Sequence, residues 1–161
     1  MKRRAVIGRI ALLSLGTTLD GCSFFKKPPP PPPPTKIELT IIGGATLNPT
    51  QARRPSPVVV RIFDLKSAAG FEAADYNGLF DKDREALGAD LVAREEFVLK
   101  PGEARRIDRP LAPETQVIGI AAAFRDLERS TWRATIAVKP NTPNRTVASL
   151  DGVTITALPA P

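Results

Sequence analysis

Seven consecutive prolines, residues 28–34, divide this chain of 161 residues into a short leader and a longer remainder. Proline fixes φ and lacks a backbone N–H, so such a run excludes both a helix interior and a central β-strand. The run is expected to form extended polyproline II at about 3.1 Å per residue, roughly 20 Å in all. A chain of this length suits one domain, because two hydrophobic cores would each lack apolar side chains. One folded domain is therefore expected after the prolines.

The first 22 residues have the features of an export signal. A basic start leads into the apolar residues 10–16, far fewer than the about 20 residues that a transmembrane helix needs. The ending Leu19-Asp20-Gly21-Cys22 resembles the bacterial lipobox, from which Asp20 departs. This resemblance implies that residues 1–21 are a signal peptide and that Cys22 carries lipid. The alternative, a free or buried cysteine after an ordinary signal, ranks well below it.

The residues that follow Cys22 indicate where the protein is anchored and how far it reaches. Ser23 stands where the lipoprotein sorting rule has Asp for inner-membrane retention, so attachment to outer-membrane lipid, facing the periplasm, is expected. Residues 22–35 are then the lipidated cysteine with a polyproline spacer, and residues 36–161 the folded domain. A proline tract can also be a ligand for an aromatic-lined groove, but beside a lipid anchor a spacer is the more economical interpretation.

The net charge of +6 first suggests a nucleic-acid-binding protein, but much of it lies in the leader. Removal of Lys2, Arg3, Arg4, Arg9 and Asp20 lowers the counts from 23 basic and 17 acidic residues to 19 and 16, a net charge of +3. The remaining charges have both signs and form no dense Lys/Arg run. No nucleic acid partner is therefore expected.

The residue content also argues against familiar enzyme chemistry. The chain contains no histidine and one cysteine, so imidazole is excluded as a base or metal ligand, and no internal disulfide can form. Glu95 and Glu96 are neighbours in a predicted strand and would point to opposite faces. Gly43-Gly44 lacks the remainder of a phosphate-binding motif. We expect no catalytic residues, no metal site and no cofactor; an envelope enzyme or a generic periplasmic binding module is the alternative.

Alternating hydrophobicity with turn chemistry between the runs predicts an all-β domain of eight strands, enough for two packed sheets. The turn Lys100-Pro101-Gly102-Glu103 has Pro and Gly at its central positions and predicts a type II turn, interpreted as joining a hairpin. Asp151-Gly152 predicts another hairpin. The strands are expected at residues 36–42, 58–65, 91–99, 104–108, 117–124, 132–138, 146–150 and 153–157.

Residues 71–89 break this alternation and predict a short helical insertion. Leu79, Phe80, Ala86 and Leu87 have the spacing of one helical stripe, and Gly88 stands where a helix C-terminal glycine is expected. The charged run of residues 81–85 is typical of a solvated helix face rather than an active site.

The connection of residues 43–57 is unusually long for one without secondary structure, which in a compact domain indicates function or disorder. Its prolines restrict the backbone and so lower the entropy lost when a partner binds. From composition alone, a flexible loop and a binding loop are about equally favoured.

The chain resembles the TssJ family, the outer-membrane lipoproteins of type VI secretion systems. The residues that carry this resemblance are the lipobox, residues 47–49, the block Arg-Pro-Ser-Pro-Val-Val-Val-Arg at 54–61 with its continuation to residue 66, Phe71 with residues 74–75, and residues 79–80, 87–91, 123–126 and 132–133. The resemblance covers nearly the whole domain. It implies a transthyretin-like two-sheet β-sandwich that binds the periplasmic part of the inner-membrane subunit TssM, with TssL in the same membrane complex.

In that family the loop between the first two strands contacts TssM. Carried over to this sequence, the resemblance implies a partner-binding site at Thr46, Leu47, Asn48, Pro49, Thr50, Gln51, Ala52, Arg53 and Arg54.

Overall fold

The structure, a computed structural model, describes residues 30–160. The expected signal peptide and Cys22 lie outside these residues. Residues 30–160 form eight strands: β1 (Lys36–Gly43), β2 (Val58–Leu65), β3 (Leu91–Leu99), β4 (Ala104–Pro110), β5 (Val117–Ala122), β6 (Arg133–Ala137), β7 (Pro143–Asp151) and β8 (Thr154–Pro159). Between β2 and β3 lie α1 (Ala69–Ala73), α2 (Tyr76–Phe80), α3 (Asp83–Leu87) and a 3₁₀ turn (Gly88–Asp90).

The strands form two four-stranded sheets. Sheet A has the order β4-β1-β7-β8 and sheet B the order β3-β2-β5-β6. Only the central pair of sheet A, β1 with β7, is parallel among the strand pairs of residues 30–160. The prediction of an all-β, two-sheet sandwich with a helical insertion is confirmed.

The period-two pattern of the strands explains how the sheets pack. In β1, Ile37, Leu39 and Ile41 point inward and are buried, while the residues between them face outward. In sheet B, Val60 and Ile120 meet them in the same core. Burial of these aliphatic side chains stabilises the sandwich by roughly 25 cal/mol per Å² of apolar area.

Sheet B is buried on its outer face as well, because the helical insertion covers it. Phe63 and Ala121 on this face pack against Phe71 of α1 and Leu87 of α3 in a second apolar cluster. A Cβ on Gly119 would come within 2.9 Å of the Phe71 ring, so the absence of a side chain there lets the helix approach. The small residues Gly119 and Ala121 of β5 thus form the face against which the insertion packs.

The insertion differs from the predicted single stripe. Residues 69–87 form three helices of five residues each, so Leu79 and Leu87 belong to different helices, and Ala86 is exposed. Gly88 ends α3 with a φ of 50°, as expected for a C-terminal glycine. Asp83 is also not on a solvated face: it is buried and ion-paired with Arg94 of β3. The spacing of the apolar residues identified the insertion but not its division into three helices.

Two arginines of sheet B hold these short helices. The guanidinium of Arg61 donates to the carbonyls of Leu79, at 2.9 Å, and Phe80, at 2.6 Å. Arg133 donates to the carbonyl of Phe71, at 3.1 Å, and to that of Ala74. The last carbonyls of a helix have no partner within it, so these bonds satisfy groups that short helices would leave open.

The predicted hairpin of β3 and β4 is wrong, although its turn is right. Gly102 has a φ of 74° and the Glu103 N–H donates to the Lys100 carbonyl at 3.1 Å, as in a type II turn. However, β3 pairs with β2 and β4 pairs with β1, so the turn passes from sheet B to sheet A. The β7–β8 hairpin is confirmed, with Asp151 paired to Thr154 around Gly152.

Two ion pairs link β4 of sheet A to sheet B. Arg109 of β4 donates two hydrogen bonds of 2.7 Å to Asp64 of β2, whose side chain is buried. These bonds raise the pKa of Arg109 above its ordinary value. Arg105 of β4 pairs with Glu95 at 3.4 Å, while Glu96 on the other face pairs with Arg61. Glu95 and Glu96 therefore bind different partners on opposite faces, as predicted.

Within residues 30–160, no helix has both the length and the apolar character needed to cross a membrane.

Candidate functional site

The predicted partner-binding loop lies at one pole of the sandwich. The chain enters β1 at Lys36 and leaves it at Gly43, seven steps of about 3.3 Å later, which separates the two ends by roughly 23 Å. The strand pairings bring the connections β3–β4, β5–β6 and β7–β8 to the same pole as the β1–β2 connection. This pole is therefore the one remote from the point where the chain enters the domain.

The first part of the connection is held against the domain, and we call its residues Thr46, Leu47 and Asn48 the root. Leu47 is fully buried in the main core. The Thr46 hydroxyl donates to the Asp151 Oδ1 at 2.7 Å, and its backbone N–H donates to the same oxygen at 3.2 Å. These hydrogen bonds hold the pKa of Asp151 below its ordinary value because they stabilise the charged carboxylate.

Asn48 connects three loops through its side chain and backbone. Its N–H donates to the Gly152 carbonyl at 2.7 Å, and its Nδ2 donates to the Pro57 carbonyl at 2.8 Å. Its Oδ1 accepts from the Arg125 N–H at 2.9 Å. Asn48 has a φ of 47°, a conformation that asparagine tolerates better than most residues. Its side chain is therefore used for the fold, and only 3% of the residue is exposed.

The far part of the connection is ordered yet exposed, and we call residues 51–54 the tip. The Arg53 N–H donates to the Thr50 carbonyl at 2.8 Å, and the Thr50 N–H donates to the Arg54 carbonyl at 2.9 Å. The Thr50 hydroxyl accepts from the Arg54 N–H at 3.2 Å. All four tip residues are exposed. Local hydrogen bonds thus shape the tip without using its side chains.

A groove of about 1030 Å³ lies between the tip and its neighbours. One wall is the β1–β2 connection; the other is the β5–β6 connection with the β7–β8 turn. Its charged lining residues are Arg54, Arg125, Asp126 and Arg129. The Arg129 guanidinium pairs with Asp126 at 2.8 Å. The remaining lining residues are Pro49, Thr50, Gln51, Ala52, Gly152 and Val153.

The structure separates the nine residues of the predicted site into two groups. Leu47 and Asn48 are buried, Pro49 and Thr50 are half-buried, and Thr46 and the tip are exposed. Sequence reasoning gave no role to Arg125, Arg129 and Val153, which complete the groove. They follow the loop by 70 or more positions, so only the strand pairing that brings the connections together could have revealed them.

In the part of the chain that the structure describes, no group of three or more Cys, Asp or Glu side chains is placed to hold a metal ion.

Comparison with known proteins identifies a family. Residues 35–154 match the family model described as type VI secretion lipoprotein, which includes VasD, EvfM and TssJ. A search of curated proteins gives no significant match.

Three solved structures have the same fold over most of this chain. The T6SS lipoprotein TssJ1 from Pseudomonas aeruginosa is 37% identical, with a TM-score of 0.78, over 80% of this chain and 98% of that one. A chain of a structure described as a type VI membrane complex is 35% identical, with a TM-score of 0.68, over 78% and 98%. A chain of a structure described as the T6SS protein TssM C-terminal domain (869–1107) from EAEC is 32% identical, with a TM-score of 0.65, over 78% and 99%.

Proposed function

The chain belongs to the type VI secretion lipoprotein family that includes TssJ, and we propose from this that it binds the periplasmic part of TssM and helps to build the secretion membrane complex, in which TssL is a further subunit. The protein acts as a connector between the outer membrane and the inner-membrane subunits.

Two of the structural matches support TssM as the partner. One matched chain comes from a type VI membrane complex and another from a structure of the TssM C-terminal domain. In the second match, the aligned part of this chain is 78% of 161 residues, or about 126, and it makes up 99% of the matched chain. The TssM fragment 869–1107 spans 239 positions, so the matched chain is too short to be that fragment. The match is therefore to a chain of this sandwich fold in a structure that also concerns TssM.

The anchor remains a proposal from the sequence. We assign residues 1–21 to the signal peptide, Cys22 to lipid attachment, residues 22–35 to the anchor and spacer, and residues 36–161 to the domain. Attachment to outer-membrane lipid through an acylated Cys22 agrees with membership of a lipoprotein family. Two or more acyl chains make a durable anchor, because each buried methylene contributes about 0.8 kcal/mol.

The observation that carries the binding proposal is the exposed tip next to a root whose Leu47 and Asn48 are buried. A tip whose backbone is already ordered loses little entropy on binding, and its arginine side chains can pair with carboxylates of a partner. The pole that carries the tip is remote from Lys36, where β1 begins. We accordingly place the TssM contact on the tip and not on Leu47 or Asn48.

We interpret the protein as a binding protein and not an enzyme. The carboxylate that lines the groove, Asp126, is already paired with Arg129, and the other charged lining groups are arginines. Arginine stays protonated and so cannot act as a general base near neutral pH. This charge distribution suits recognition better than proton transfer.

The binding proposal is tested by replacing residues 51–54 with Gly-Ser-Gly-Ser in the full-length lipoprotein, purified in detergent. We expect the affinity for the TssM periplasmic fragment, measured by titration calorimetry, to fall at least about tenfold, as is typical when an interface loses its main contacts. The circular dichroism melting curve should be unchanged, because the tip contributes nothing to the core.

The matched control for this variant is Pro113→Gly with Glu114→Ser, two exposed positions in the β4–β5 connection at the opposite pole. It should bind TssM like the wild type. Unchanged affinity of the tip variant would place the contact elsewhere on the protein.

The anchor is tested separately by Cys22→Ser. This variant should lose labelling by a clickable palmitate analogue and appear in the soluble periplasmic fraction. Continued fractionation with the outer membrane would contradict lipid attachment at Cys22.

A further inference from the structure

The groove beside the tip has arginines that the fold does not use. Arg61, Arg109 and Arg133 are each engaged by carbonyls or carboxylates inside the domain. By contrast, Arg54 and Arg125 are exposed and take part in no ion pair within residues 30–160. The groove therefore has an excess of positive charge that ion pairs within residues 30–160 do not neutralise.

Hydrogen bonds donated by backbone N–H groups hold the wall opposite the tip, the β5–β6 connection, in place. The Arg125 N–H is bound by the Asn48 side chain, and the Ala123 N–H donates to the Val59 carbonyl at 2.9 Å. At the other end of this connection, the Thr131 N–H donates to the Val153 carbonyl at 3.0 Å. The two walls are thus fixed to each other through the root, and the groove exists before any partner binds.

The size and lining of the groove favour a polypeptide. Its volume of about 1030 Å³ slightly exceeds the range of about 300–1,000 Å³ that is typical of small-molecule sites. Such sites are usually lined mainly by apolar and aromatic side chains, whereas six of the ten residues that line this groove are polar or charged, and none is aromatic. Val153 offers an apolar contact at the turn of the β7–β8 hairpin.

We propose that this groove holds an extended acidic segment of TssM, with Arg125 and Arg129 of the β5–β6 connection binding its carboxylates together with Arg54. The inference rests on the proposed function and deepens it, because it assigns part of the contact to residues outside the β1–β2 connection. Guanidinium groups bind carboxylates through paired hydrogen bonds, which gives both charge and geometric complementarity. The Arg129–Asp126 pair is exposed, with 84% of the Arg129 side chain accessible, so Arg129 can exchange Asp126 for a partner's carboxylate.

An acidic protein segment fits this position better than a lipid headgroup does. The groove lies at the pole remote from Lys36, where the spacer from the membrane anchor enters the domain. It is also continuous with the tip, where we place the TssM contact. A single partner can therefore occupy both surfaces at once.

The test uses the double variant Arg125→Glu with Arg129→Glu in the full-length lipoprotein, purified in detergent and titrated with the TssM periplasmic fragment. We expect its affinity to be at least about tenfold weaker than that of the wild type. We also expect the wild-type affinity to fall with rising salt, and that of the variant to depend less on salt.

A matched control carries the same charge change on another face. Arg106 and Arg145 lie on the outer face of sheet A, are 69% and 63% exposed in their side chains, and each approaches one carboxylate. Arg106→Glu with Arg145→Glu should bind TssM with wild-type affinity. An equal loss in the control would mean that net charge and not the groove sets the affinity, and would overturn the inference.

The outcomes distinguish this inference from the proposed function. If the groove variant binds like the wild type while the tip variant does not, the groove assignment is wrong and the tip remains the contact. If the wild-type protein does not bind the TssM fragment, the proposed function and this inference fall together.

A second measurement identifies the occupant directly. Val153 lines the groove outside the tip, and its replacement by a benzoylphenylalanine photo-crosslinker in the full-length protein in cells should give an adduct with TssM. The crosslinked TssM segment, mapped by mass spectrometry, should contain Asp or Glu. An adduct with lipid or with a second copy of this chain, a TssM segment without carboxylates, or no adduct at all would overturn the inference.

Discussion

The root and the tip of the β1–β2 connection are only a few residues apart, yet they are built in opposite ways. The root contributes Leu47 to the core, and Asn48 binds two neighbouring connections: its side-chain Oδ1 accepts from the Arg125 N–H, and its backbone N–H donates to the Gly152 carbonyl. The tip forms its own turn around Thr50, and its side chains are exposed. The order of the connection and its availability for binding are therefore supplied by different residues.

This division explains how a connection of fourteen residues, 44–57, can be ordered although its tip is exposed. A loop that relied on its exposed side chains for order would have to release them when a partner binds. Here the exposed side chains make no such contribution, so binding and stability can change independently. Mutations in the root should affect stability first, and mutations in the tip should affect binding first.

The largest effect on stability is expected from Leu47→Ala. Leu47 is fully buried, and its truncation removes apolar contacts and leaves a cavity, which costs about 2–5 kcal/mol of unfolding free energy. Urea denaturation of the wild type and the variant measures this difference. A loss below about 1 kcal/mol would mean that the root adjusts without strain, and the contrast with the tip would weaken.

A smaller loss is expected at Asn48, where two substitutions separate two causes. Asn48→Gly keeps the positive φ but leaves the Arg125 N–H and the Pro57 carbonyl without their partner, which costs about 1–3 kcal/mol. Asn48→Ala should cost about 1 kcal/mol more, because alanine disfavours a φ of 47°. Equal stabilities of the two variants would show that the backbone conformation carries no cost.

The tip offers a matched position with the opposite expectation. Arg53 has a φ of 59°, like Asn48, but its side chain is exposed. Arg53→Gly should therefore leave the unfolding free energy unchanged or raise it by up to about 1 kcal/mol, because glycine adopts a positive φ without strain. Thermal unfolding compares it with Asn48→Gly. A marked loss at Arg53 would show that the tip side chain has a structural role.

The smallest effect concerns pH. The folded-state pKa of Asp151 is held below the ordinary value of 3.8 by Thr46, so the contact adds stability above that value, and this stability is lost as the pH falls through the folded pKa. Thr46→Ala should raise the pKa of Asp151 towards 3.8 and make the domain slightly less sensitive to acid. Carboxyl NMR titration measures the pKa; no change would mean that Thr46 does not hold the carboxylate.

The sequence alone determined the local elements of this protein and its sandwich class. The predicted strand of residues 58–65 coincides with β2, that of residues 91–99 coincides with β3, and Asp151-Gly152 is at the turn of the β7–β8 hairpin. These features depend on alternation and on the φ preference of a few residues, which are local properties. The helical insertion was found for the same reason, through its change of period.

Only the tertiary structure decided which elements meet. The turn at Lys100 to Glu103 was predicted, but a turn does not specify whether its two strands pair with each other or with β2 and β1. Asp83 was predicted to be solvated because nothing near it in sequence indicates Arg94 as a partner.

The groove was likewise decided by the tertiary structure. Its walls come from distant parts of the chain, and they meet where Asn48 binds Arg125, 77 positions further along the chain, and Gly152. The sequence around Asn48 does not indicate which distant backbone groups this residue will bind. That choice depends on the pairing of whole strands, which is a property of the complete fold.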